Sequence, residues 1–260
     1  MPLKSLTHQL LKPFQSEKLV HSCEDAWGTI QVHDHGPHRI LSFGSLFEQS
    51  KVDLAAPQRL AHEYTRVMLL ALAFNQPRHA TILGLGGGAL VNCMLQLQPD
   101  CQLDVVELRE SVVRVAQEYF ALPAHPQLAI HVADARDHLP SCDDASTDLL
   151  FADLYFAENM NPYQAQKKFL AHCARVLRPD GWLVINFHRL PSLNTPFFRW
   201  ALAEFPTLLV CSTTSGNQVL FAGKTLMLDP REKRQRVREL EIASGMQLGK
   251  LLERLIRIRF

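Results

Sequence analysis

The sequence predicts an α/β protein: a mostly parallel sheet with helices on both faces, behind a small antiparallel β unit. Three observations predict it. From residue 80 onward, short apolar runs alternate with amphipathic segments at helical spacing, the pattern of strands joined by crossover helices. A glycine cluster, Gly84-Leu85-Gly86-Gly87-Gly88, follows directly on the first of those runs. Residues 18–48 carry short apolar stretches broken by turn signals.

Each element follows in order. KLVHSC, WGTIQVHDH and HRILSFG predict short strands, with Asp34-His35-Gly36-Pro37 as a hairpin turn between the last two. Residues 49–57 link this unit onward. Pro57 sits near the start of a helix running to about Phe74, whose apolar positions Leu60, Tyr64, Val67, Met68 and Ala71 follow helical spacing. ATILGL is a buried strand and ALVNCMLQL a helix. QLDVVEL and SVVRVAQEYF repeat the pair, LAIHVA is the third strand and TDLLFAD the fourth. YQAQKKFLAHCARVL is an amphipathic helix with Phe169, Leu170, Cys173, Val176 and Leu177 on its apolar face. Arg178-Pro179-Asp180-Gly181 stops it and turns the chain into WLVINF. After a helix over Pro196–Glu204, TLLVCS and NQVLFAG flank Thr214-Ser215-Gly216 as a β-hairpin, which completes a seven-stranded sheet. The tail REKRQRVREL…LLERLIRIRF reads as one or two helices. The expected division is an N-terminal β unit over 1–56, a nucleoside-binding domain over 57–225 and a basic helical tail over 226–260.

The chain has 260 residues, 47% hydrophobic and 20% charged, with 27 Lys+Arg against 26 Asp+Glu. That composition excludes a disordered chain. The balance disfavours a nucleic-acid partner, whose phosphates demand excess positive charge. It hides a split, however. Residues 231–260 hold nine Lys/Arg and four Asp/Glu, so the rest of the chain is mildly acidic. No apolar run approaches the roughly 18 residues of a membrane span, and MPLKSLTHQLLKPF has no continuous apolar segment or small-residue cleavage site. A cytoplasmic protein without a membrane partner is expected. The six cysteines are scattered, without CxxC, and read as reduced packing residues. His33, His35 and His38 cluster around a hairpin turn and read as surface residues, so no metal is expected.

The chemistry gathers at strand ends, where sheets of this kind bind ligands. Glycines at Gly84, Gly86, Gly87 and Gly88 let the backbone turn tightly and let a ligand approach it, and the helix that follows favours electron-rich groups. The other reading is close strand–helix packing. Glu107 ends the second strand about 20 residues on, where nucleotide-binding α/β folds place an acid on ribose hydroxyls. Asp134 follows the third strand. It reads either as acceptor for an adenine amino group, with Ala135 offering a backbone N–H, or as a helix N-cap. Asp153 ends the fourth strand beside the glycine loop and either orients or deprotonates a nucleophile or caps the loop. Tyr155 is placed to stack on a substrate or donate to it. Tyr64 and Gln49 read equally as site residues or as ordinary packing.

Together these residues resemble the spermidine synthase family, the polyamine aminopropyltransferases, and in particular its bacterial spermidine synthase-like members, over roughly Ile30 to Gly223. The resemblance implies a class I methyltransferase-like Rossmann core, S-adenosylmethionine or its decarboxylated form as co-substrate, a small amine or other small acceptor, and a homodimer, to which the N-terminal sheet edges also point. Gly86, Gly87 and Gly88 match the first three positions of the family's GGGDGG loop, where Ala89 replaces the Asp and Leu90 and Val91 the last glycines. Glu107, with Leu108 after it in VVEL, matches the ribose-binding acid. Asp134 and Ala135 match the adenine pair, and Asp153 matches the first Asp of the DSxDP-type loop, the one that deprotonates the amine. The second Asp of that loop falls on Phe156. Tyr64 matches the helix tyrosine, followed here by Thr65 and Arg66. Ala89 leaves room for the carboxylate of ordinary S-adenosylmethionine.

Four functions therefore stand side by side: an aminopropyltransferase with Asp153 as base, an S-adenosylmethionine-dependent methyltransferase, a non-catalytic scaffold of the same fold, and, from the loose fingerprint Gly84-x-Gly86-x-x-Ala89, a dehydrogenase.

Overall fold

The computed structural model describes residues 18–258 apart from 46, 158, 227 and 228. The first seventeen residues of the unit expected over 1–56, including the stretch read above for a leader, lie outside the described residues. Strands β1 (Lys18–Asp25), β2 (Gly28–His35), β3 (His38–Ser42) and β4 (Ser50–Asp53) form an antiparallel sheet in that order. The β2–β3 turn is Gly36-Pro37, with His35 paired to His38 across it. Strand β4, read above as link, has only four residues, too short to show alternation; Ser50 and Val52 face inward. The three histidines expected at the surface are half-buried along these strands.

Helix α1 (Glu63–Leu69) begins six residues later than Pro57 suggests and tightens into a 3₁₀ turn over Leu70–Ala73. The preceding residues wind as turns because Leu60 is drawn into the core. Its N–H meets Met246 Sδ at 3.3 Å, not a backbone carbonyl one helical turn back.

The chain then alternates through β5 (His79–Leu83), α2 (Ala89–Leu97), β6 (Gln102–Glu107), α3 (Glu110–Tyr119), β7 (Leu128–Val132), α4 (Ala135–Ser141), β8 (Thr147–Ala152), α5 (Lys167–Val176), β9 (Leu177–Phe187), α6 (Pro196–Glu204), β10 (Thr207–Ser212) and β11 (Gln218–Gly223). The tail forms α7 (Pro230–Ser244), α8 (Gly249–Glu253) and β12 (Ile256–Arg257). Tyr163 and Gln164 do not open α5, as the periodicity suggested. They lie in a separate 3₁₀ turn, because the buried Gln164 amide donates to Asn186 O at 2.7 Å and accepts from Leu154 N–H. The Arg178–Gly181 stop lies within β9, at a register shift against β8.

The large sheet runs β7-β6-β5-β8-β9-β11-β10-β12, with the first five strands parallel and the rest antiparallel. It has eight strands, because β12 from the tail pairs with β10; helical periodicity alone did not reveal that strand. Alternation along β8 builds both faces: Leu149 and Phe151 join the core with α1, α2, α3 and α7, while Leu150 and Ala152 join that with α4, α5 and α6. Burial of both faces is why these strands read as continuous apolar runs. Strand order reverses between β5 and β8, and the carboxyl ends of β5 to β9 open beneath the small sheet.

Candidate active site

The turn after β5 fixes the site's geometry. Gly84 has φ of +94°, and a Cβ there would lie 2.3 Å from the backbone oxygen of Asp153, so only glycine lets the β5 and β8 ends meet this closely. Gly86, φ +55°, lines the cavity against Ser50. Gly87 and Gly88 do not line it; a Cβ on Gly87 would lie 2.9 Å from both Phe120 and Ser50 Oγ, and one on Gly88 2.9 Å from Leu122, so these two let the turn pack against the small sheet and the end of α3.

The cavity holds about 410 Å³, within the roughly 300–1,000 Å³ of small-molecule sites. On one side stand the strand ends of β6 and β7. Glu107 is buried; one carboxylate oxygen accepts from Leu85 N–H and the other from Arg109 N–H, each at 3.0 Å. Burial pushes its pKa up, against those two hydrogen bonds. Leu108 lines the cavity beside it. Asp134 caps α4, accepting from Arg136 N–H at 2.8 Å, and is ion-paired with the Arg136 guanidinium, which holds its pKa down. The N-cap reading is thus realised in full, and the carboxylate still borders the cavity with Ala135, whose N–H belongs to the first turn of α4.

On the other side, Asp153 receives two side-chain donors: Asn186 Nδ2 at 2.8 Å and the Tyr64 hydroxyl. Burial pushes its pKa up despite both. Tyr64 is pushed well above its ordinary value by burial and by the Asp153 charge, so it stays protonated as a donor. Tyr155 donates to Asn186 O at 3.3 Å and meets the His188 ring edge-on. Gln49 reaches across from the small sheet and donates to Ala157 O at 3.0 Å, pinning the loop after β8. The structure thus brings Gln49, Tyr64, Gly84, Gly86, Glu107, Leu108, Asp134, Ala135, Asp153 and Tyr155 to one cavity.

Sequence reasoning passed over several neighbours. Asn186 is the hub of the Asp153 network; its one signal was an amide inside the apolar run WLVINF. Asn217, which donates to Asn186 Oδ1 at 3.1 Å, opened the strand run NQVLFAG and carried none. Arg109 joins the two sheets. Its guanidinium bonds Asp25 at 2.9 and 3.1 Å and Gly28 O at 2.7 Å, and lies 4.6 Å from the centre of the Phe43 ring. His62, also on the cavity, stacks on Tyr64, and burial keeps it from protonating readily. Among the described residues no cluster of His, Cys, Asp or Glu is placed to hold a metal ion, and no helix is long and apolar enough to cross a membrane.

The parallel core, the terminal antiparallel hairpin and the glycine turn after β5 define a class I methyltransferase-like fold, and the description "Methyltransferase domain" matches residues 82–185. A probable spermidine synthase from Corynebacterium glutamicum superposes with a TM-score of 0.73 at 24% identity, over 85% of this chain and 86% of that one. Human methyltransferase-like protein 13, solved with SAH, gives 0.63 at 21%, over 72% and 94%. Across nearly its whole length the chain resembles the spermidine synthase family: it is 26% identical to the polyamine aminopropyltransferase of Vibrio vulnificus, over 94% of this chain and 85% of that protein.

Proposed function

We propose that this chain is a transferase that binds S-adenosylmethionine or its decarboxylated form and moves an aminopropyl group onto a small amine, with Asp153 as the base. The carrying observation is that a half-buried carboxylate at the end of β8, held by Tyr64 and Asn186, faces the same cavity as the Glu107 carboxylate. The co-substrate supplies an activated carbon on a sulfonium, whose departure as a neutral thioether drives the reaction.

The residues present fit such a nucleoside. Glu107 keeps lone pairs free for a vicinal diol beyond its two backbone bonds. Gly86 opens the wall, Ala135 offers an N–H, and Asp134 accepts from an exocyclic amine. Asp153 holds the attacking amine by hydrogen bond and takes its proton as the new C–N bond forms and the C–S bond breaks, the electron pair leaving with sulfur. Its raised pKa strengthens it as a base, while the two donors keep it fixed and partly offset that rise. Tyr64 and Asn186 orient the carboxylate without competing for the proton. Residues on the small-sheet side, Gln49 and Ser50 among them, form one wall of the cavity, so positioning contributes much of the rate.

A second reading, methyl transfer, draws on Ala89. It lines the cavity beside Gly86, where a small side chain leaves room for an amino-acid carboxylate. Calorimetry with each co-substrate separates the two. Tighter binding of the decarboxylated form, with release of 5′-methylthioadenosine from a mixed amine pool, supports aminopropyl transfer. Preference for the ordinary form supports methyl transfer, and binding of neither overturns both.

A further inference from the structure

Beyond Asp153 the cavity wall is aromatic. His188 lies between two rings that meet it edge-on: Phe47, with centroids 6.4 Å apart at 76°, and Tyr155, 5.9 Å apart at 81°. Phe156 adds a fourth ring. Phe47 and Phe156 come from different segments and are 52% and 40% exposed, large apolar groups left open at the cavity mouth. They are held together by bonds between their neighbours: Ser45 Oγ and Gln49 Nε2 both donate to Ala157 O, at 2.9 and 3.0 Å. The wall is therefore preorganised and needs no ligand to assemble it.

The charges on the same surface are already matched, with one exception. Four carboxylates line the cavity among the described residues. Glu48 is paired with Lys51 Nζ at 3.2 Å, Asp134 with Arg136 at 2.6 Å, and Glu107 takes two backbone N–H groups. Asp153 alone has only neutral side-chain donors and no cationic partner. It can accept one ammonium. A second ammonium on the same acceptor would lie against Phe47, Tyr155, Phe156 and His188, leaving water where the neighbouring carboxylate, Glu48, is already paired with Lys51. An apolar body in that place would instead bury the open rings.

We infer that the acceptor is a primary monoamine with an aromatic or alkyl body, selected over a diamine by Phe47, Tyr155, Phe156 and His188. This rests on the transfer chemistry proposed above. The test is calorimetric titration of 2-phenylethylamine and of 1,4-diaminobutane into the whole protein, each with and without saturating 5′-methylthioadenosine. The expected result is at least tenfold tighter binding of 2-phenylethylamine. Phe156→Asp, at an exposed loop position, should cut that preference at least tenfold by strengthening diamine binding. Phe47→Ala should weaken 2-phenylethylamine at least threefold and leave the diamine unchanged, a readout that stands if the first variant misfolds. Equal or tighter binding of the diamine by the unaltered protein, or binding of neither amine, overturns the inference. Failure of 5′-methylthioadenosine to bind overturns the transferase reading instead, and the titrations without it still report the amine preference.

Discussion

Replacing Gly84 by alanine tests the close approach on which the site is built. With φ at +94°, a Cβ there would sit 2.3 Å from the oxygen and 3.1 Å from the carbon of the Asp153 carbonyl. Both are backbone atoms, so no side-chain rotation relieves the contact. Gly216, in the β10–β11 turn, offers the control: its φ is +97°, and nothing lies within 4 Å of where its Cβ would go. The cost of a left-handed backbone for an L residue, about 1–2 kcal/mol, is common to both. Only Gly84→Ala adds overpacking, about 1–3 kcal/mol. Gly216→Ala should therefore lose about 1–2 kcal/mol and Gly84→Ala about 2–5 kcal/mol. Urea unfolding followed by fluorescence of the buried Trp182 measures both. Gly84→Ala should also lose 5′-methylthioadenosine binding as the β5 and β8 ends are forced apart. Stability losses that agree within about 0.5 kcal/mol, the usual scatter for independent sites, would refute the reasoning.

Three other outcomes follow from the same geometry. Glu107→Gln places an amide N–H₂ against the Leu85 or Arg109 N–H, leaving a buried donor unmatched; it should cost about 1–3 kcal/mol in urea unfolding and abolish calorimetric nucleoside binding. Asp153→Asn should remove turnover, measured as thioether release, while sparing nucleoside binding. Because Asp153 is raised above its ordinary 3.8, activity should fall on acidification through that raised value; Tyr64→Phe, which removes a donor to the charged form, should move this acid limb to higher pH. Away from the site, Asp104 is held down to about 2 by hydrogen bonds from His79, at 2.5 Å, and His131, at 2.9 Å, and His79 is raised in return. The Asp104 contribution to stability is present above 3.8 and lost as pH falls through about 2. That of His79 is present below 6.5 and lost as pH rises through its raised value. The stability advantage over Asp104→Asn should thus peak between about pH 4 and 6.5 in pH-resolved thermal unfolding.

The parallel core was legible because strands buried on both faces leave unbroken apolar runs, and crossover helices leave amphipathic ones. ALVNCMLQL and PFFRWALAE match α2 and α6 to the residue. What stayed hidden was held by non-local contacts. Leu60 breaks helical continuity only because Met246 waits for it, β12 is two residues long and needs β10 beside it, and Gln164 leaves α5 to serve Asn186. The same holds in the site. Carboxylates at strand ends follow from topology, so Glu107, Asp134 and Asp153 could be placed. Asn186, Asn217 and Arg109 act through partners tens of residues away, with no local pattern. Of the four glycines in five residues, Gly84 and Gly86 line the cavity, while Gly87 is confined by Phe120 and Ser50 and Gly88 by Leu122, contacts that no local pattern shows.

The tail's return to the sheet has a bearing on the order in which the protein assembles. Arg254 bonds Glu63 at 2.5 Å and also the Ser212 carbonyl, and these first two residues are 191 positions apart. Glu63 opens the helix that presents Tyr64 to Asp153. Strands β5 to β9 close through short crossovers and can form early. The clasp on α1, and the cover on the open margin of β10, must wait for residues 254–257 to close one of the longest loops in the molecule, and long-range closure is slow. The placement of Tyr64 on α1 against Asp153 is thus tied to that closure, whereas Asp153 and Asn186 belong to strands β8 and β9 that do not depend on it.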